Sequence, residues 1–345
     1  MTTVLIAAGG TGGHVFPGLA VADALQQKNI KVVWIGTQHG LDTKLVPQTQ
    51  IPFYSLAIKG LRGKRKLSLL LAPFKIIVAI IHAMKIIRKT KADMILGMGG
   101  YVSGPAGIAA WLMRKPLVIH EQNAIAGMTN KLLSRFATTV LQAFPDTLKN
   151  AVTTGNPIRS DIMNIQHEQS HEPLRVLVLG GSQGAQAINQ IMPAVLQQLV
   201  GQITVWHQAG AKHVENAQQA YGHADVKLTA FIDDMTAAYA WADVVICRAG
   251  ALTVAEVAAA GLPAIFVPFP SAVDDHQTAN AKYLIDNGAG LLIQQRDLNP
   301  DKLTTMLGGF LTDPSRLKTM AVKAKQLANS EATKNVVNQL LSAKP

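Results

Sequence analysis

Two glycine-rich turns, one histidine and one glutamate are the parts of this chain whose types and spacing could do chemistry. The first turn, Gly9-Gly10-Thr11-Gly12-Gly13, runs directly into His14, and the second, Gly180-Gly181-Ser182-Gln183-Gly184-Ala185, lies ~170 residues further on. Each follows a short apolar run and opens a helical pattern, so backbone N–H groups at the positive end of a helix dipole are open to phosphate or a polar sugar. His14 stands at the start of a helical pattern, with Pro17 suitably placed for its first turn. It reads as a polar cap or as a general base, since imidazole exchanges a proton near neutral pH; the local glycine density favours the base. Glu256 closes the run Arg248-Ala249-Gly250-Ala251-Leu252-Thr253-Val254-Ala255. Small residues there precede a helix whose first turn is expected to hold Glu256, an acid that could accept both hydroxyls of a ribose or complement the dipole.

Other chemistries lack their residues. The first turn has its third glycine out of register for a dinucleotide fingerprint, and the next strand ends Trp34-Ile35-Gly36-Thr37 without the acid that binds a ribose. No P-loop spacing occurs. No Asp-x-Asp is present, and the pairs Asp233-Asp234 and Asp274-Asp275 are adjacent, so neither a metal site nor a cofactor is expected. Cys247, the single cysteine, excludes an internal disulfide and reads as a small buried residue. Further glycine-rich strand ends recur at Gly97-Met98-Gly99-Gly100-Tyr101 and at Gly155-Asn156-Pro157-Ile158-Arg159. So much exposed backbone on one edge points to a cleft wall rather than to turns alone.

The elements that must position these residues are legible as apolar runs. In the first half they fall at 4–8, 32–35, 94–96, 117–119, 139–142 and 152–153, and in the second at 175–179, 203–206, 227–230, 244–247, 264–267 and 291–293. Short runs without polar alternation, separated by helical patterns such as 185–199 and 253–260, fit parallel strands buried on both faces. The fold expected is α/β: two Rossmann-like doubly wound parallel-sheet domains facing a cleft. Residues 1–160 form the first domain, the polar stretch 161–173 a linker, 174–330 the second domain, and 331–345 a terminal helix expected to pack back on the first. A length of 345 residues and 48% hydrophobic content suit two cores.

The net charge of +11 is concentrated. Ten basic residues and no acid lie between Lys59 and Lys91, among them Arg62, Lys64, Arg65, Lys66 and Lys75, while the other 22 Lys and Arg nearly match the 21 acids. This segment could bind nucleic acid, form a solvated face, or lie on an anionic membrane with its cations snorkelling. Phe74 is its one aromatic residue, too few for nucleic-acid stacking, and its Leu and Ile content exceeds that of a solvated face, so the membrane surface is favoured. Pro73, Lys75, His82 and Lys85 interrupt the most apolar stretch, 67–87, leaving no run near the ~20 residues of a span. Met1-Thr2-Thr3 reaches the glycine turn too soon for a signal peptide. A soluble or peripheral protein is expected.

Taken together, Gly9–Pro17, Gly97–Tyr101, His120-Glu121-Gln122-Asn123, Gly155–Arg159, Gly180–Ala185 and Gly250–Glu256 closely resemble the MurG family, bacterial N-acetylglucosaminyltransferases that complete the lipid-linked peptidoglycan precursor. The resemblance runs from residue 4 to about residue 340. It implies a metal-independent, double-Rossmann hexosyltransferase at the cytoplasmic face of the inner membrane, working in cell-wall biogenesis beside cell-wall synthesis and division proteins. UDP-N-acetylglucosamine would bind mainly to the second domain and undecaprenyl-diphosphate-linked N-acetylmuramoyl-pentapeptide to the first, whose C4 hydroxyl would attack the anomeric carbon with inversion.

By the same resemblance, Ser182 and neighbouring N–H groups would hold the diphosphate, Glu256 the ribose, and Arg159 with the backbone near Ile232 the uracil. Asn123, Ala251, Leu252, Thr253 and Gln277 would meet the sugar, within a donor loop that includes Val254 and Ala255. Thr11, Gly12 and Gly13 would shape the floor, His14 would be the base, and Gly99, Gly100 and Tyr101 would face the acceptor. Ala249 stands where serine is common in the family. The nearest rival on the same fold is a UDP-N-acetylglucosamine 2-epimerase, which has no use for a cationic apolar segment; a basic nucleic-acid-binding protein would leave the ordered glycine motifs unexplained.

Overall fold

The computed structural model describes residues 2–58, 72–167, 171–181, 184–270 and 275–343. The chain divides into two compact units, one of residues 1–158 with 331–345 and one of residues 159–330.

The first unit runs β1 (Thr3–Ala7), α1 (Gly12–Gln27), β2 (Lys31–Gly36), α2 (Asp42–Leu45), β3 (Phe53–Ser55), α3 (Ala72–Thr90), β4 (Met94–Gly97), α4 (Gly100–Leu112), β5 (Leu117–Glu121), α5 (Met128–Leu133), β6 (Thr139–Gln142) and β7 (Val152–Thr153). Its seven strands lie in the order β3-β2-β1-β4-β5-β6-β7, every pair parallel. β1 is buried along its whole length, as a strand covered by helices on both faces must be. Two cores follow from the two faces: Val4, Ile6, Val21, Leu25 and Trp34 on one side, and Leu5, Ala7, Ile35, Val102 and Ile119 on the other. The terminal helix Ala332–Ser342 places Val336, Val337 and Leu340 in the first of these cores, against α1. The apolar runs mark six of the seven strands; β3 has no such run, being a three-residue edge strand of half-buried side chains.

The second unit runs α6 (Ser160–Met163), β8 (Leu174–Leu179), α7 (Gln186–Gln198), β9 (Ile203–Gln208), α8 (Val214–Tyr221), β10 (Val226–Thr229), α9 (Met235–Trp241), β11 (Val244–Cys247), α10 (Ala251–Ala260), β12 (Ala264–Phe266), α11 (His276–Ile285), β13 (Gly290–Leu292), α12 (Pro300–Thr312) and α13 (Ser315–Leu327). Six parallel strands lie in the order β10-β9-β8-β11-β12-β13. In each sheet the chain winds out from the centre and crosses back, between β1 and β4 in one and β8 and β11 in the other, and such switch points are where doubly wound sheets take ligands. The stretch 161–173, expected as a linker, belongs instead to this unit in its described residues, with Ile162 buried, His171 bonded to Asp243 and Lys325 Nζ donating to Met163 O.

Candidate functional site

In the first unit, Ala7 and Gly97 are register partners, so the turns after β1 and β4 leave the sheet at the same level. The first turn is braced from below by Asp42. Fully buried, its carboxylate accepts from Gly10 N at 2.9 Å and from the Thr37 backbone and hydroxyl, while Leu41 N donates to Gly10 O. Thr11 caps α1 through its carbonyl, and one turn on stands the half-buried His14. A Cβ at Gly99 would lie 2.9 Å from the His14 ring, and Gly99 has φ +86°, so glycine is required twice over where β4 ends. Ser103 ties the two strand ends together, donating to Ala7 O and Gly99 O. Tyr101 is more than half exposed on α4.

The end of β5 adds four consecutive polar residues. Glu121 is buried and accepts from Asn123 N and Nδ2, Gly127 N and Asn130 Nδ2, fixing the loop that carries Asn123. His14 Nδ1 lies 2.9 Å from Gln122 Oε1, whose amide nitrogen lies 3.0 Å from His120 Nδ1. Burial pulls the His120 imidazole down to about 4, so it is neutral.

In the second unit, Leu179 and Cys247 are register partners, which sets the turns after β8 and β11 side by side. A Cβ at Gly184 would lie 2.4 Å from Ala209 O, and one at Gly180 2.7 Å from Ala185 N. Behind this turn His207 bonds Tyr221 and Asn189, and Asn189 donates to the same Ala209 O. Ser182 lies outside the described residues.

Glu256 sits in the second turn of α10, a correction to its expected place in the first: the helix begins at Ala251 rather than at Thr253 because the small residues there continue it. It is therefore removed from the first-turn N–H groups, and its partners are side chains. Tyr239 Oη donates to its Oε2 at 3.0 Å and Arg159 Nη2 stands 3.8 Å from its Oε1. Burial pushes its carboxyl up to about 7 against the opposing pull of Arg159 and then Tyr239. Arg159 Nε is buried with no hydrogen-bond partner among the described residues.

At the start of α10, Leu252 and Thr253 are half-buried and their N–H groups belong to the unpaired first turn of a helix. Val254 is buried and its N–H donates to Gly250 O; Ala251 is buried and Ala255 half-buried. Ile232 is buried before α9, and Gln277 accepts from Phe269 N. Ala249 O accepts from Asn280 Nδ2.

Of the cationic segment, Arg62, Lys64, Arg65 and Lys66 lie outside the described residues, whereas Lys75 is exposed on α3. Phe74, Ile77, Val78 and Ile81 form an exposed stripe at helical spacing on that helix, and Ala79, Ala83, Ile86 and Ile87 its buried face. Trp111, Leu112, Met128 and Leu132 are exposed on α4 and α5, the helices packed in series beside it. Among the described residues no helix is long and apolar enough to cross a membrane and no three His, Cys, Asp or Glu cluster as metal ligands. Sequence reasoning found no signal for Asp42 or Tyr239, and placed Gln122 in a motif without giving it a role. The polar end of an otherwise apolar β5 was the available signal for Gln122; Asp42 and Tyr239 carry none without their partners.

Two doubly wound units, each with a glycine turn at its switch point, one with a held histidine and one with a buried carboxylate, make up the double-Rossmann architecture, and the family match makes it that of a glycosyltransferase. The chain belongs to glycosyltransferase family 28: residues 4–142 match its N-terminal domain and residues 175–338 its C-terminal domain. It is 50% identical, over 98% of its length and 97% of the relative's, to the UDP-N-acetylglucosamine--N-acetylmuramyl-(pentapeptide) pyrophosphoryl-undecaprenol N-acetylglucosamine transferase of Marinobacter nauticus. The crystal structure of Acinetobacter baumannii MurG is 44% identical, with a TM-score of 0.82 and 99% of both chains covered. The UDP-GlcNAc 2-epimerase of Neisseria meningitidis, bound to UDP-GlcNAc, shares the fold at a TM-score of 0.69, but only 14% of its sequence over 99% of this chain and all of that one.

Proposed function

We propose that this chain transfers N-acetylglucosamine from UDP-N-acetylglucosamine to the C4 hydroxyl of undecaprenyl-diphosphate-linked N-acetylmuramoyl-pentapeptide. The hydroxyl oxygen bonds to the anomeric carbon with inversion, the bond to the diphosphate breaks, the proton passes to a base and UDP leaves. The observation that carries this reading is the 50% identity with a transferase named for these substrates, which spans both units and so both glycine turns.

The second unit holds the donor in this reading. Glu256 accepts the ribose hydroxyls, and Arg159, whose buried Nε has no protein partner among the described residues, frames the uracil with the backbone at Ile232. Ser182 with the turn from Gly180 to Ala185 holds the diphosphate, while Ala251, Leu252, Thr253, Val254, Ala255 and Gln277 shape the sugar subsite. With no metal invoked, helix N-termini and aimed donors must stabilise the departing diphosphate, an effect worth about 3 kcal/mol for a single donor. The first unit supplies His14 as base, Thr11, Gly12 and Gly13 as floor, Asn123 toward the sugar, and Gly99, Gly100 and Tyr101 toward the acceptor. The α3 stripe, Lys75 and the cationic residues Arg62, Lys64, Arg65 and Lys66 rest on the anionic cytoplasmic face of the inner membrane, where the lipid-tethered acceptor lies. Cell-wall synthesis and division proteins are its working partners in this setting.

UDP release measured with and without a short-chain analogue of the lipid-linked acceptor tests the reading. Acceptor-dependent release with a β-1,4-linked disaccharide product is expected; conversion of the donor to its 2-epimer without acceptor would overturn it.

A further inference from the structure

The imidazole of His14 can act as a base through one nitrogen only, and the hydrogen bonds behind it decide which. His120 Nε2 lies 3.0 Å from Gly155 O, and a carbonyl can only accept, so this nitrogen carries the proton. The ring is fully buried and neutral, which leaves Nδ1 bare. Gln122 Nε2 is 3.0 Å from that bare nitrogen and 3.1 Å from His120 O, two acceptors, so this end of the amide must be the NH2 group. The reversed amide would set its oxygen against both. The end that faces His14 Nδ1 at 2.9 Å is therefore the oxygen, and it must be met by an N–H.

We propose that Gln122 is a positioning residue for the base: the chain Gly155 O, His120, Gln122 fixes the proton of neutral His14 on Nδ1 and leaves the lone pair on Nε2 for the acceptor hydroxyl. This rests on the reading of His14 as the base. Free imidazole side chains in water favour the opposite tautomer, with the proton on Nε2, which could not take a proton from a substrate there. Nε2 has no hydrogen-bond partner among the described residues, as a nitrogen reserved for substrate requires. The relay is itself held: Asn130 Nδ2 donates to His120 O, Asn156 Nδ2 donates to Gln122 O, and the backbone of Gly99 walls the His14 ring. A carboxylate in place of Gln122 would fix the same tautomer but raise the proton affinity of the ring and so hold a second proton on it at neutral pH; a neutral amide orients the ring without that charge.

The test reads the tautomer directly in the full-length protein without substrates. Two-bond 1H–15N spectra of histidine-labelled protein, with His14 assigned by its loss in His14→Gln, are expected to show a bare Nε2 and a protonated Nδ1. Gln122→Met, close in volume, should move the His14 proton toward Nε2 and lower kcat at least about tenfold, with the KM for UDP-N-acetylglucosamine unchanged. Gln122→Glu can still accept from Nδ1–H but sets its other oxygen against His120 Nδ1 and O and its charge beside the ring, so it should keep the His14 proton on Nδ1 without restoring turnover at neutral pH; the His120 signals report whether each variant keeps its fold. A wild-type His14 protonated on Nε2, or a Gln122→Met protein with native tautomer or native kcat, would overturn the inference. Full turnover in His14→Gln with the native tautomer in wild type would instead sink the reading of His14 as base and leave the relay without a catalytic purpose.

Discussion

Glu256, proposed to hold the donor ribose, is kept in the fold at a cost in stability. Its carboxyl is buried and pushed from 4.5 up to about 7, since Tyr239 and a 3.8 Å approach by a partly exposed Arg159 do not replace the water it has lost. Between pH 4.5 and about 7 the folded carboxyl keeps a proton that the unfolded one has released, so stability falls as pH rises through this window and stays lower above it. A shift of that size corresponds to about 3 kcal/mol. Urea unfolding of Glu256→Gln is therefore expected to show a variant more stable than wild type well above pH 7, with the advantage gone below 4.5. Function should move the other way. Only the carboxylate accepts two ribose hydroxyls well, so the donor KM of the wild type should rise as pH falls through about 7, and Glu256→Gln should have a high KM that lacks this dependence. A pH-independent KM in wild type would remove Glu256 from the ribose. His14→Ala should lower kcat by about 10²–10⁴-fold with little change in donor KM, and equal defects in kcat and KM for both variants would contradict the division of roles.

At the scale of elements, α3 carries two faces that its sequence only partly separates. Ala79, Ala83, Ile86 and Ile87 pack inward, while Phe74, Ile77, Val78 and Ile81 remain 68%, 53%, 50% and 48% exposed. A stripe that the core does not use can be changed without unfolding the unit, and burying a large apolar side chain in a lipid surface contributes about 1.5–3 kcal/mol. Phe74→Ser with Ile81→Ser should thus reduce co-sedimentation with anionic vesicles at least tenfold, by the ~1.4 kcal/mol-per-decade rule, and leave the melting transition of the first unit within about a degree or two. Unchanged sedimentation would remove this stripe from the membrane contact. The same helix shows what was legible. Strands buried on both faces announce themselves as apolar runs, so twelve of the thirteen strands among the described residues could be placed from local pattern; the edge strand Phe53–Ser55 could not, because it lies half-buried at the margin of the sheet. The glycine turns were legible because glycine is forced at positive φ and close approach, as at Gly99 and Gly184. The side chains behind them were not: Asp42, Gln122 and Tyr239 owe their roles to partners 32, 108 and 17 residues away, which no local period encodes.

On the scale of the whole molecule, the chain leaves the first unit at residue 158, completes the second, and returns at residue 331 to finish the first. Leu340 is fully buried beside Val4, Val21 and Trp34, so the core around β1 is incomplete until the last helix is made. The second unit closes its own core with α12 and α13, through Leu303, Leu307, Phe310 and Leu317. Two cores allow two separate responses, and a single melting temperature would conflate them. Leu340→Ala leaves a cavity that costs about 2–5 kcal/mol, which should speed hydrogen exchange of the β1 and β2 amides at least about thirtyfold. The β8 and β11 amides, nearer in sequence to the substitution, should keep their wild-type rates. UDP at about a hundred times its dissociation constant should do the converse in either protein, slowing β8 and β11 by about a hundredfold through the ~2.7 kcal/mol of binding. Acceleration of β8 and β11 by Leu340→Ala equal to that of β1 would show that the two units open as one, and the proposed donor site would then share every loss of stability suffered by the unit that carries His14.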